Sequence, residues 1–171
     1  MNRPSKNEYA EYYETYVSLV PETDIVAAMR EQLHEVEQIF AEITEEKSLF
    51  AYAENKWTIK ELLGHLIDGE RIFAYRALRI SRADETPIEG FEQDDYVENA
   101  NFNSIKLADL IEEFTLSRKV TLIFFKNLTE NAWLRIGTAS DVPVSVRALA
   151  FMMVGHIRHH LRILREKYLG E

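Results

Sequence analysis

The chain has 171 residues, 46% apolar and 29% charged, and its 20 basic and 29 acidic side chains leave a net charge of −9. At about 150 residues per domain, residues 1–171 are expected to form a single domain of ordinary globular composition. The absence of cysteine excludes a disulfide framework, a zinc–thiolate or iron–sulfur site and a thiol nucleophile of the protein's own.

The acidic balance argues against nucleic acid as a partner, because that binding rests on neutralising phosphates. Glycine (6) and proline (4) are sparse, which disfavours a turn-rich β architecture. No apolar run approaches about 18 residues, so no membrane span is expected. The N-terminal stretch MNRPSKNEYAEYYETY has no apolar leader region, and the expected location is the cytoplasm.

Residues 7–18 place Tyr9, Tyr12, Tyr13, Tyr16 and Val17 three and four apart, as on one face of a short helix that Pro21 ends. Thr23 opens a second helix. Ile25, Val26, Met29, Leu33, Val36, Phe40 and Ile43 repeat at helical period there, to about residue 46. The third helix starts at TIKE, where Thr58 as N-cap and Glu61 form a capping box and Trp57 is placed to fold back on Leu62. Its stripe is Ile59, Leu62, Leu63, Leu66, Phe73 and Ala77, and it runs to about Ser81.

Residues 83–103 break the pattern. Pro87 and Gly90 interrupt it, and seven acids and no base fall between Ala83 and Asn101. This reads as a long loop with a helical turn near Gln93–Glu98. It is either functional or a solvated crossover pinned to the core by Phe91 and Tyr96. Ser104 caps a fourth helix to about Asn127, with Leu107, Leu110, Ile111, Phe114, Val120, Thr121, Phe124 and Leu128 as its stripe. Residues 133–142 read as a second connector with no strand signal. The last helix runs from Pro143, in its first turn, to Tyr168. Four helices of roughly 20–25 residues, a short leading helix and a long crossover loop predict an all-α four-helix bundle. The long connectors argue against a plain up-down-up-down order.

The five histidines carry the chemistry. His160 lies roughly 40° from the centre of the last helix's apolar stripe, His156 roughly 80° and His159 roughly 140°, on the outer face. His156 and His160 are four apart, so their rings sit one turn apart and can share one ion. In the third helix His65 lies roughly 90° from the stripe centre, at the edge of the apolar face, where it can reach a neighbouring helix. His65, His156 and His160 together suit zinc, nickel, iron or manganese, with an open position for water or an anionic sulfur. His34 falls on a polar face and is expected to be exposed. A ferritin-like di-iron site needs two ExxH motifs, and only Glu31 with His34 exists. There is no HExxH, GxSxG, GxGxxG or P-loop. Glu70, within about 50° of its stripe centre, needs a partner, and Arg147, Arg158 and Arg162 are candidates for a structural ion pair.

WTIKELLGHLIDGE (Trp57–Glu70) and GHIRHHLRIL (Gly155–Leu164), with GFEQDDYVENAN in the long loop, resemble the DinB-like, YfiT-like superfamily. The resemblance covers most of the chain. It implies a four-helix bundle, often a homodimer, with a divalent metal on three histidines. By motif position these match His65, His156 and His160. It also implies relatives that are thiol-dependent S-transferases and isomerases.

Two functions are compatible with these residues. In the first, the metal site binds a low-molecular-weight thiol as thiolate for attack on a small-molecule electrophile, or water for hydrolysis. Zinc or nickel is favoured over iron or manganese. Asp68 and Glu61, one turn on either side of His65, then orient its ring or accept protons. The loop at 84–99 and Trp57 shape the pocket mouth. In the second, the protein is a non-catalytic bundle, stapled by metal or binding a ligand as a dimer.

Overall fold

The computed structural model describes residues 2–170. Two three-ten turns, Lys6–Glu8 and Glu11–Tyr13, lead into α1 (Glu14–Val17) and α2 (Ile25–Ala41). Then follow α3 (Ile59–Ser81), α4 (Gln93–Ala100), α5 (Leu107–Lys126) and α6 (Glu130–Leu134). Strands β1 (Ile136–Ala139) and β2 (Val142–Ser145) precede α7 (Val146–Ile163), which continues in wider π-helical turns over Leu164–Leu169.

Helices α2, α3, α5 and α7 form a four-helix bundle. Both α2 and α3 pack on α5 and α7. Consecutive α2 and α3 are therefore diagonal, and so are α5 and α7. Connectors 42–58 and 127–145 must cross an end of the bundle, which explains their length. No helix among the described residues is long and apolar enough to cross a membrane.

Local chemistry moves several helix ends from their expected places. The α3 start is as read: Glu61 N donates to Thr58 Oγ1 at 3.1 Å and Thr58 N to Glu61 Oε2 at 2.7 Å. Helix α2 is capped by Asp24 rather than Thr23, because Asp24 Oδ1 accepts from Ala27 N at 3.0 Å. It ends at Ala41, short of residue 46. Helix α5 starts at Leu107, whose N–H donates to Glu45 Oε2 at 2.9 Å. The expected cap, Ser104, instead donates its hydroxyl to Asn101 O in a three-ten turn. Val120, placed in the α5 stripe by its spacing, is 69% exposed.

The connector after Trp133 is not strandless. β1 and β2 pair antiparallel from Ile136↔Ser145 to Ala139↔Val142. The two turn residues, Ser140 (φ 52°) and Asp141 (φ 63°), are both left-handed, as a two-residue hairpin turn that matches strand twist requires. Pro143 therefore lies in β2 opposite Thr138, not in α7, and Ser145 caps α7 by accepting from Ala148 N at 3.0 Å. Ile88 of the acidic loop bridges to Ala139 of this hairpin. That loop carries a two-turn helix, α4, held by buried Val97 and Phe102. Tyr96, expected to pin the loop to the core, is 49% exposed and packs on Phe91.

The core forms two apolar clusters, one around the first half of α7 and the other around the ends of α2, α3 and α7 farther along the bundle. A buried polar layer lies between them. Gln32 separates Met29 from Leu33, Glu70 separates Ile67 from Phe73, and His156 separates Val154 from Ile157. Arg118, fully buried on α5, completes the layer by gripping Glu70 with Nε to Oε1 at 2.9 Å and Nη2 to Oε2 at 2.7 Å. Its Nη1 donates to Gln32 Oε1 at 3.2 Å, and Gln32 Nε2 donates to Val154 O at 2.9 Å. One polar chain thus joins all four helices.

The N-terminal segment is a strap along α7. Arg147 Nε donates to buried Glu8 at 2.6 Å, and Arg158 grips Glu22 at 2.6 and 2.8 Å. Glu70's expected partners thus serve elsewhere: Arg147 and Arg158 tie down the strap, and Arg118 takes the carboxylate.

Candidate metal centre

Packing of α3 against α7 brings His65 opposite His156 and His160. Donor-capable atoms of the three rings lie within 4.8 Å of one another. His65 Nε2 and His156 Nε2 are 2.9 Å apart, and the ring centroids are separated by 4.6–4.8 Å. A tetrahedral ion with metal–nitrogen bonds near 2.0–2.1 Å places its nitrogens about 3.3 Å apart. The rings are already close to that spacing. No aspartate or glutamate among the described residues joins the cluster.

Electrostatics favours the neutral, ligating form of each ring. Burial lowers His65 to about 4. Burial, then the neighbouring His65 and His159, lowers His160 to about 3. His156 is held well below its ordinary value by burial and by the surrounding His160 and His65. Three buried or half-buried imidazoles without a carboxylate to stabilise imidazolium are a donor set suited to a divalent cation.

Small residues make the approach of α3 and α7 possible. A Cβ on Gly69, one turn beyond His65, would stand 3.2 Å from His156 Cε1. Aromatic rings wall the cluster. Trp57 lies 4.8 Å from His65 and 6.4 Å from His160, so it packs on the histidines rather than serving only as a staple for Leu62. Tyr16 of α1 stands edge-on to His156 at 5.3 Å, and Phe73 lies 5.8 Å from it.

Two cavities flank the cluster. One, of about 680 Å³, reaches His160 between Tyr52, Trp57, Glu61 and Tyr168. The other, of about 370 Å³, reaches His65 and His156 between Tyr12, Tyr16, Phe91 and Arg76. Asp94 of α4 borders both. The acidic loop therefore closes over the site.

The two carboxylates next to His65 in sequence are placed differently. Glu61 lines the larger cavity, but Oε2 is engaged in the helix cap and Oε1 accepts from Asn103 Nδ2 at 2.9 Å. Asp68 lies 3.9 Å from Arg71 and borders neither cavity. Burial raises its carboxyl, opposed by Arg71 and reinforced by Glu113. His34 is exposed beside Glu37 at 3.4 Å, as expected. His159 is not a free outer-face residue. It is half-buried, 5.7 Å from the Tyr16 ring, with a buried and unpartnered Nδ1. The strap covers the face that the helix alone leaves open.

Sequence reasoning missed Arg118 and Arg76. Arg118 had a signal, since it follows Phe114 by four and precedes Thr121 by three, inside the apolar stripe of α5. Arg76 lies eleven residues beyond His65, on nearly the same face of α3.

A bundle with diagonal crossovers and three converging imidazoles defines a helical protein with a donor set of the kind that suits a divalent ion. Residues 28–164 match the DinB superfamily, and the chain belongs to it. The matched span includes all three histidines. Among solved structures, YfiT from Bacillus subtilis superposes with a TM-score of 0.75 at 14% identity, covering 96% of this chain and 90% of that one. It is described as a probable metal-dependent hydrolase with an unusual four-helix bundle topology. At that identity the likeness is one of fold. No curated protein matches the chain.

Proposed function

We propose that this protein is a metal-dependent enzyme acting on a small molecule, a thiol S-transferase or a hydrolase, with His65, His156 and His160 as ligands. The observation that carries this reading is the convergence of three neutral imidazoles, without a carboxylate partner, between two cavities. The description of YfiT as a metal-dependent hydrolase supports it. A divalent ion on three imidazoles supplies Lewis acidity, lowering the pKa of a thiol or water to the neutral range.

The chain's own residues do the rest. His65 and His160 face different cavities, so a nucleophile and an electrophile can approach from opposite sides. Trp57, Tyr16 and Phe73 keep bulk water from the rings, which strengthens electrostatics in the site. The chain has no cysteine, so in the transferase reaction the sulfur comes with the substrate. Zinc and nickel fit three nitrogen donors, with iron and manganese next.

The test is metal analysis paired with stability and activity. Wild-type protein is expected to bind one divalent ion per chain. The triple variant H65A/H156A/H160A is expected to bind none, keep its helical spectrum and lose thiol-transfer or hydrolase activity against an electrophile panel. Failure of zinc and nickel to bind or shift the melting temperature would sink this reading. Wild-type protein that unfolds when a chelator removes the ion identifies the metal as a structural staple instead.

A further inference from the structure

We propose that Arg76 binds the carboxylate of the small-molecule substrate, in the cavity that it shares with His65 and His156. The inference rests on the reading of the three histidines as the reacting centre and names the substrate class that centre takes.

Arg76 is only 3% exposed. Its Nη2 donates to Ser140 Oγ at 2.8 Å and to Glu89 O at 3.1 Å, both uncharged acceptors. Its Nε is buried and has no partner. The flanking arginines of α3 and the buried arginine of α5 have carboxylates: Arg71 has Glu113, Arg79 has Asp84 and Arg118 has Glu70. No carboxylate among the described residues lies within ion-pair distance of Arg76. A guanidinium stays charged at any ordinary pH, and burying it without a counter-charge is costly. An anionic ligand removes that cost. The hairpin turn at Ser140 fixes the side chain by Nη2, and the part of the guanidinium that lines the cavity is left for the ligand.

The cavity selects the rest of the molecule. His65 and Arg76 are eleven residues apart on α3, so they share a face within about 20° and are separated by about 16 Å along the axis. Both side chains reach this one cavity, so a single small ligand can lie between them. Gly69 and Phe73 line the cavity between them, and Tyr12, Tyr16 and Phe91 form aromatic walls. A volume of about 370 Å³ admits a small, flat or extended acid. Glu92 and Asp94, exposed and bordering the same cavity, repel multiply charged ligands, which favours a carboxylate over a phosphate. Arg76 also borders a second cavity of about 510 Å³ with Arg71 and Arg79, whose charges are already paired.

The experiment is calorimetric titration of the full chain with the monoanions phenylacetate and hexanoate, with the neutral analogue phenylacetamide and inorganic phosphate as controls. It is run without metal and with one equivalent of zinc. Wild type is expected to bind both carboxylates, R76M to bind them about tenfold or more weakly, and R76K to fall between. The carboxylates should raise the melting temperature of wild type but not of R76M. Unliganded R76M should melt no lower than wild type, because it removes an unpaired buried charge; a merely structural arginine would destabilise on replacement. If R76M does not fold, R76Q gives the same comparison. Equal carboxylate affinity in wild type and variant, binding of phosphate alone, or no binding by wild type overturns the proposal. The metal-free arm reads Arg76 even if zinc does not bind, so failure of the metal reading and failure of this one are distinguishable.

Discussion

Gly155 and Tyr16 touch backbone to backbone: a Cβ on Gly155 would stand 2.0 Å from the Tyr16 carbonyl oxygen. The contact seats the N-terminal strap on α7 directly beside His156, and with it the Tyr16 ring that stands edge-on to His156 and His159. No flexible side chain is there to yield. In G155A the strap must lift, because the facing atoms are backbone. Overpacking of this kind costs typically about 1–3 kcal/mol. G155A is expected to melt lower than wild type, with faster proteolytic cleavage within residues 2–22. Unchanged cleavage would show that the close approach is not needed.

The neighbouring histidines of GHIRHH should behave differently towards metal. His160 belongs to the three-ring cluster, whereas His159 packs under Tyr16. Alanine at His160 is expected to weaken zinc binding at least tenfold, and alanine at His159 to change it by less than threefold. Competition titration with a chromogenic chelator measures both. Equal losses would mean that His159 also ligates.

Much of this was legible in the sequence, and what was not has a physical cause in each case. The α3 helix and its capping box could be read because all their hydrogen bonds are local, between Thr58 and Glu61. His65, His156 and His160 could be placed together because helical period fixes direction. The hairpin could not be read, because its turn uses Ser140 and Asp141 where Asn-Gly or Asp-Gly is the usual signal. Glu70's partner could not be found from its own helix, because choosing Arg118 over Arg147 or Arg158 depends on α3 lying next to α5. The burial of His159 depends on the strap, whose path along α7 no spacing in either segment announces.

The Glu70–Arg118 pair predicts an asymmetry between breaking and replacing. Arg118 is 0% and Glu70 2% exposed at the side chain, and the two bonds between them are parallel. Removing one partner strands the other charge. R118A is therefore expected to cost about 3–5 kcal/mol. The double variant E70M/R118M, which keeps volume and removes both charges, should recover most of that loss, although Gln32 then loses one contact. Denaturant unfolding of the two variants and the single mutants gives the comparison. A double variant as unstable as R118A would contradict the argument.

Acid stability should depend on Glu8. Burial pushes this carboxyl up, but hydrogen bonds from Arg147, Ser5 and Ser145 outweigh it and bring it down to about 2, from an ordinary 4.5. The folded state therefore holds Glu8 ionised where the unfolded chain would take up a proton. The stabilisation is fully present above pH 4.5 and is lost as the pH falls through about 2. At about 1.4 kcal/mol per pH unit, the contribution is on the order of 3 kcal/mol. Replacing Glu8 with Gln removes the charge that both Arg147 and the strap depend on. E8Q is expected to be less stable than wild type at pH 7, to lose less stability between pH 5 and pH 2, and to approach wild type at the acid end. Melting temperatures of the two proteins across that range decide it: curves that stay parallel down to pH 2 would show that Glu8 does not anchor the strap by its charge.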